Sequence, residues 1–248
     1  MMTTSRFFGL SLEILEEWII TLGINANNVV IGTDVPANID SKYSVCCHQN
    51  DFSGRLLNCI NLLEVDMVLI LLDDYKLISF DLNTFKKGLR DFYTFKASAM
   101  KLVPNPFPDI FIPGHYDFGM CSIHTHWRIN SQPTVFSKSF LCEILFPPES
   151  LWDFEINASI RSLALPCNIM SPINSIADYR EIIKGGRILS LYYDLYGVKF
   201  TIEKIPAVKS LMIIIEGNLK RLMIELLGYS FTRKFKLLMK LPLNFSNK

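Results

Sequence analysis

Phe118-Gly119-Met120-Cys121-Ser122-Ile123-His124-Thr125-His126 is the stretch on which the reading of this chain turns. The apolar run reads as a buried strand. Side chains at i and i+2 of a strand leave one face, so His124 and His126 point the same way. Two imidazoles on one face can converge on one point, as two ligands of a zinc ion must. A polar loop follows to Pro133-Thr134, and Ser137 stands where an acidic third ligand is sought.

Length and composition set the frame. A chain of 248 residues, half of them hydrophobic, makes one large domain or one domain with an extension. A formal charge of +1 argues against a general binder of nucleic acid. The six cysteines (46, 47, 59, 121, 142 and 167) lack disulfide-scaffold or CxxC spacing, and several lie in apolar runs. They read as reduced thiols of a cytoplasmic protein. No signal peptide is evident, and no run reaches the roughly 18 apolar residues of a membrane span. With His48 beside them, Cys46-Cys47 read more simply as a buried structural cysteine pair than as part of a metal cluster.

Along the chain, Ser11 to Leu22 has helical spacing, with Ser11 as N-cap and Gly23 as stop. A short strand is expected at Val29 to Ile31. Met67 to Leu72 and Tyr75 to Phe80 are apolar runs, and Asp73-Asp74 between them predicts the tight turn of a β-hairpin. Leu82 to Phe95 predicts a helix capped by Asn83 or Thr84. Four prolines make 103–113 a loop. Ser139 to Phe146 and Glu149 to Leu163 predict helices broken by Pro147-Pro148, and Leu165 to Met170 a strand. Arg187 to Tyr196 and Val198 to Ile205 flank Gly197 as a second hairpin. Ala207 to Leu227 predicts an amphipathic helix, and Arg233, Lys234, Lys236 and Lys240 a basic tail. Three regions result: a helix and loop at 1–40, a core at 41–185, and an extension at 186–248. Mixed strands and helices predict an α/β (α+β) fold with a three-layer α/β/α mixed sheet.

The string from His124 to Ser137 resembles the JAMM (MPN-domain) metalloproteases, whose signature is H-[ST]-H-P, a loop, then P-[ST]-x-x-D. His124, His126 and Pro133-Thr134 fit it, and Leu165 to Pro172 resembles that family's later strand. Trp127 stands in place of the Pro, and Ser137 in place of the Asp. The resemblance implies a zinc-bound water attacking an isopeptide bond, with His124 and His126 as ligands and a neighbouring carboxylate as base. Glu64, which lies 60 positions before His124, takes the base position, with Asp66 as the other candidate. Thr134 takes the oxyanion role. With Ser137 a poor ligand, Glu143, Asp117 or His115 would complete the metal site.

Two functions stay open on this reading. One is a zinc-dependent isopeptidase acting on a protein substrate. The other is a catalytically inactive MPN-type scaffold that pairs with a protein partner or dimerises in a larger assembly. No nucleic acid or membrane partner is expected. The plain alternative for the two histidines is a pair of hydrogen-bonded strand side chains without metal.

Overall fold

The computed structural model describes residues 1–34, 42–47, 51–197, 199–216 and 218–219. His48, residues 220–227 of the expected amphipathic helix and the basic tail lie outside them. The chain divides into two compact units, residues 1–182 and 183–248.

The first unit opens with α1 (Phe8–Leu22), followed by β1 (Val30–Thr33), β2 (Ser44–Cys47) and α2 (Phe52–Asn61). Then come β3 (Met67–Ile70), β4 (Tyr75–Phe80), α3 (Leu82–Thr94), β5 (Ala99–Lys101), β6 (Ile110–Phe111) and β7 (Phe118–Cys121). It ends with β8 (Thr134–Ser137), α4 (Lys138–Ile144), α5 (Leu151–Arg161), β9 (Ile169–Pro172) and β10 (Ala177–Glu181). The α/β class expected from the sequence is the one observed.

Six strands form one mixed sheet in the order β3-β8-β5-β9-β7-β6. Met2 extends it on the β3 side by bridging Leu72 and Gly32, both in parallel. The Met2 amide donates to Leu71 (2.8 Å) and the Thr3 amide to the Gly32 carbonyl (2.9 Å). Beyond them β1 pairs with β2 in parallel. A short N-terminal segment thus welds a parallel half to the mixed half.

Helices cover both faces of the parallel half. Ile31 packs with Phe8 and Leu15 of α1, whereas its neighbour Val30 packs with Leu56, Cys59 and Ile60 of α2. Neighbouring strand residues point to opposite faces, so α1 and α2 lie on opposite sides, the doubly wound arrangement. Gly32 makes the weld close. A Cβ there would meet Met2 Sδ at 2.8 Å, Cys59 Sγ at 2.9 Å and Arg55 Cγ at 3.1 Å.

Several local expectations are corrected. α1 begins at Phe8, and Ser11 lies inside it, its hydroxyl bonded back to the Phe7 carbonyl (2.8 Å). Gly23 does stop the helix, at φ 66°. The Asp73-Asp74 hairpin does not form: β3 pairs with β8, and β4 leaves the sheet to pair with β10. Asp81 caps α3, accepting from the amides of Asn83 (3.1 Å) and Thr84 (3.0 Å). Ser150 and Asp153 form a capping box on α5.

In the second unit, β11 (Ile183–Lys184) and β12 (Arg187–Ile188) pair around Gly185 and Gly186, both at positive φ. The hairpin expected around Gly197 is absent, because 193–197 are helical. Residues 207–216 form a helix. No helix among the described residues is long and apolar enough to cross a membrane.

Candidate functional site

The strand expected to carry the histidines stops too early. β7 ends at Cys121, and His124 and His126 lie in exposed turns beyond it. Asp109 ends the strand. Its carboxylate accepts from the Ser122 amide (2.7 Å), the Ser122 hydroxyl (2.6 Å) and the Thr125 hydroxyl (3.0 Å). Partial burial pushes the Asp109 carboxyl up, and these bonds outweigh it and hold it below the usual range. Trp127, at φ 58°, then turns the chain back, so 122–127 is no extended segment.

The other expected site residues are scattered. Thr134 opens β8 and is fully buried, its hydroxyl donating to the Gln132 carbonyl (2.8 Å). Ser137 closes the same strand roughly 10 Å away and caps α4, accepting from the Phe140 amide. Glu64 is exposed between α2 and β3, and Glu143 is exposed on α4. Ser137, Glu143 and Asp66 do share a groove of about 410 Å³ with Lys96 and Ser98, but neither histidine lines it. His115 faces Asp91 at 3.4 Å, and Asp117 pairs with Lys87. Among the described residues no three His, Cys, Asp or Glu side chains gather as a metal-binding group.

A different constellation stands at the other end of β3. In space the parallel half runs β2, β1, the N-terminal segment, β3. The chain steps outward from the N-terminal segment through β1 to β2, and then α2 carries it back to the far side. The order therefore reverses between the N-terminal segment and β3. In open α/β sheets such a reversal leaves a crevice beyond the carboxyl ends of the strands, where ligands bind. Thr3-Thr4, Thr33-Asp34 and Asp73-Asp74 all lie at those ends.

These residues are tied together. Asp73 Oδ2 accepts from the Thr3 hydroxyl (2.9 Å) and the Thr4 amide (3.4 Å). Thr3 Oγ1 also lies 2.6 Å from the hydroxyl of Ser11 on α1. Arg55 of α2 donates from Nη1 to the Thr3 carbonyl (2.9 Å), while its Nε and the Thr4 hydroxyl have no hydrogen-bond partner among the described residues. Burial pushes the Asp73 carboxyl above its ordinary range, against the opposing pull of Thr3, Thr4 and Arg55. Asp74 follows in the chain, its carbonyl accepting from the Lys76 (3.2 Å) and Ile182 (3.0 Å) amides, which fixes where β4 departs.

Behind the acid pair lies a buried polar floor. Glu155 of α5 accepts from the Ser131 amide (2.6 Å) and hydroxyl (2.5 Å). Burial, with Tyr179, Asp74 and Glu155 nearby, raises the Tyr75 hydroxyl far above its normal range, and Ser131 hydrogen-bonds it. Lys101 of β5 is fully buried and donates to Asn130 Oδ1 at 2.7 Å. Burial lowers its ammonium to about 8, although Cys121 and Glu155 oppose that. Asn130 and Ser131, just beyond the histidine turns, are thus clamped onto the sheet face. Glu149 anchors α5 separately through a bidentate pair with Arg161 (2.8 and 2.9 Å).

Sequence reading missed Asp73, Asp74, Thr3, Arg55, Glu155 and Lys101 as a set. The available signal is an apolar run ending directly in two aspartates, which on its own predicts a turn.

No family model and no curated protein matches the chain. Solved structures do. S. aureus TarS 1–349 in complex with UDP is similar at TM-score 0.50 and 13% identity, over 98% of this chain and 75% of that one. The same fragment in complex with UDP-GlcNAc gives 0.47 at 13% identity, with the same shares covered. A third TarS 1–349 structure gives 0.48 at 12% identity, over 72% of this chain. The chain spans 58% of that third structure and 45% of the longer TarS structure. The likeness to the UDP complex is one of fold, and it overturns the JAMM/MPN resemblance. The isopeptidase reading falls with it, and the MPN-type scaffold alternative is left without support.

Proposed function

We propose that the chain transfers a sugar from a nucleoside-diphosphate donor, with the diphosphate seated over Asp73 and Asp74. The observation that carries this is the aspartate pair at the carboxyl end of β3, at the reversal of strand order, with Asp73 bonded to Thr3 and Thr4 and Arg55 donating to the Thr3 carbonyl. The fold shared with TarS, which was solved with UDP and with UDP-GlcNAc, supports it.

The chemistry follows from charge. An acceptor hydroxyl attacks the anomeric carbon, and the bond from that carbon to the diphosphate oxygen breaks. The hydroxyl proton goes to a base, and the diphosphate leaves with the electron pair. A bare diphosphate is repelled by two carboxylates. A hard divalent cation resolves this, since Mg²⁺ is commonly held by one or two carboxylates together with substrate phosphates. Adjacent Asp73 and Asp74 fit that donor set, and the ion would neutralise charge on the leaving group. Arg55 adds a fixed positive charge beside the pair. Glu155 and Lys101 hold the 130–131 loop and Tyr75 behind the site, and so keep the acid pair in place.

Calorimetric titration of the full chain with UDP and UDP-GlcNAc, with and without Mg²⁺ or Mn²⁺, tests the reading. Cation-dependent binding that Asp74→Asn removes is expected. Absence of binding by either nucleotide, or binding indifferent to Asp74→Asn, overturns it.

A further inference from the structure

The helix over residues 207–216 faces outward with its apolar side. Val208 (71%), Leu211 (57%), Met212 (65%) and Ile215 (54%) are exposed, and Leu219 (55%) continues the row. At 100° per residue these five positions fall within one arc of about 100°. The opposite side turns inward: Ser210 is fully buried and its hydroxyl accepts from the Ser190 amide (2.9 Å).

Charge indicates what covers it. Residues 207–248 contain eight Lys or Arg and two Glu, a net +6. The preceding 206 residues contain the remaining 17 basic and 22 acidic residues, a net −5. A near-neutral chain is therefore strongly divided, with its basic excess on the segment that bears the exposed stripe. Lys209 lies within the helix, Lys220 and Arg221 follow it in sequence, and the same apolar spacing recurs at Leu222, Met223 and Leu226. An apolar stripe with a concentrated positive charge is the chemistry of a helix lying in the headgroup layer of an anionic bilayer.

We propose that the helix over residues 207–216, with Leu219, binds the surface of an anionic lipid bilayer, with Val208, Leu211, Met212, Ile215 and Leu219 in the interface. It places the chain at a membrane surface, whatever the donor site binds.

Co-sedimentation of the full chain with vesicles tests this. The chain is expected to sediment with phosphatidylcholine vesicles containing about one-third phosphatidylglycerol, to remain in solution with phosphatidylcholine alone, and to be released by salt. Leu211→Asp/Ile215→Asp should weaken binding at least about tenfold, and Arg233→Glu/Lys234→Glu/Lys236→Glu should weaken it by a comparable factor. Both variants alter positions outside the acid-pair site, so nucleotide titration should match the parent, which separates this test from that of the donor site. Failure to sediment with anionic vesicles overturns the proposal, as does binding by both variants that equals the parent's. So does a dimer in solution that depends on Leu211 and Ile215 and forms without any lipid affinity.

Discussion

Two short polar strings end two apolar runs in this chain, and the structure treats them oppositely. His124-Thr125-His126 follows β7 and lies in solvent-exposed turns held by Asp109. Asp73-Asp74 follows β3 and is bonded to the N-terminal segment where the strand order reverses. The first string looks more like chemistry, because histidine pairs are uncommon and aspartate pairs are ordinary. The difference teaches that a side chain's chemistry is set by which strand end it occupies. The Asp73 carboxylate at the reversal is buried against Thr3 and Thr4, and the imidazoles beyond a strand that has already ended lie exposed.

The largest expected effect falls on the acid pair. Asp74→Asn should lower cation-dependent UDP affinity by about a hundredfold, of the order found when one partner of a desolvated charge contact is truncated, whereas His124→Ala/His126→Ala should leave it unchanged. Titration calorimetry on both variants reads the contrast, and equal losses would erase it.

Next is the weld that positions the pair. Gly32→Ala puts a Cβ against Met2, Cys59 and Arg55, so it should destabilise the fold by about 1–3 kcal/mol and weaken UDP binding as well. Urea unfolding and titration together check this. Loss of stability with full retention of affinity would detach the weld from the site.

Acidification should separate the two regions further. Burial raises the Asp73 carboxyl, so it takes up a proton at higher pH than an ordinary aspartate. Cation-dependent binding should therefore fade early as pH falls, before common carboxylates titrate. A pH series of titrations measures it, and a midpoint in the usual aspartate range contradicts the burial.

The polar floor gives a smaller signal at the alkaline end. Buried Lys101 has a folded pKa of about 8 against an ordinary value near 10.4. Between those values the unfolded chain binds more protons, so stability should rise with pH across that window. The rise should be absent in Lys101→Met, as thermal melts from pH 8 to 10 would show.

The smallest effect belongs to the histidines. Single substitutions at His124 or His126 should shift stability by no more than about 0.5 kcal/mol, as for exposed sites.

The sequence carried the local elements well and their assembly poorly. Gly23 marks the end of α1 and Pro147-Pro148 the break between α4 and α5, because each constrains its own backbone. The pairing of β4 with β10 joins residues about a hundred positions apart, and no spacing rule reaches that far. Nor does the stop of β7 at Cys121, since it depends on Asp109, thirteen residues upstream of Ser122. The acid pair was visible as letters, but its meaning needed the strand order, which Met2 decides by bridging Gly32 and Leu72.

Amide chemical-shift mapping with UDP and Mg²⁺ compares the two regions in one experiment. The account predicts perturbations concentrated at Thr3, Thr4, Arg55, Asp73 and Asp74, with 122–127 silent. Perturbations centred on 122–127, with residues 3–4 and 73–74 unmoved, would contradict it.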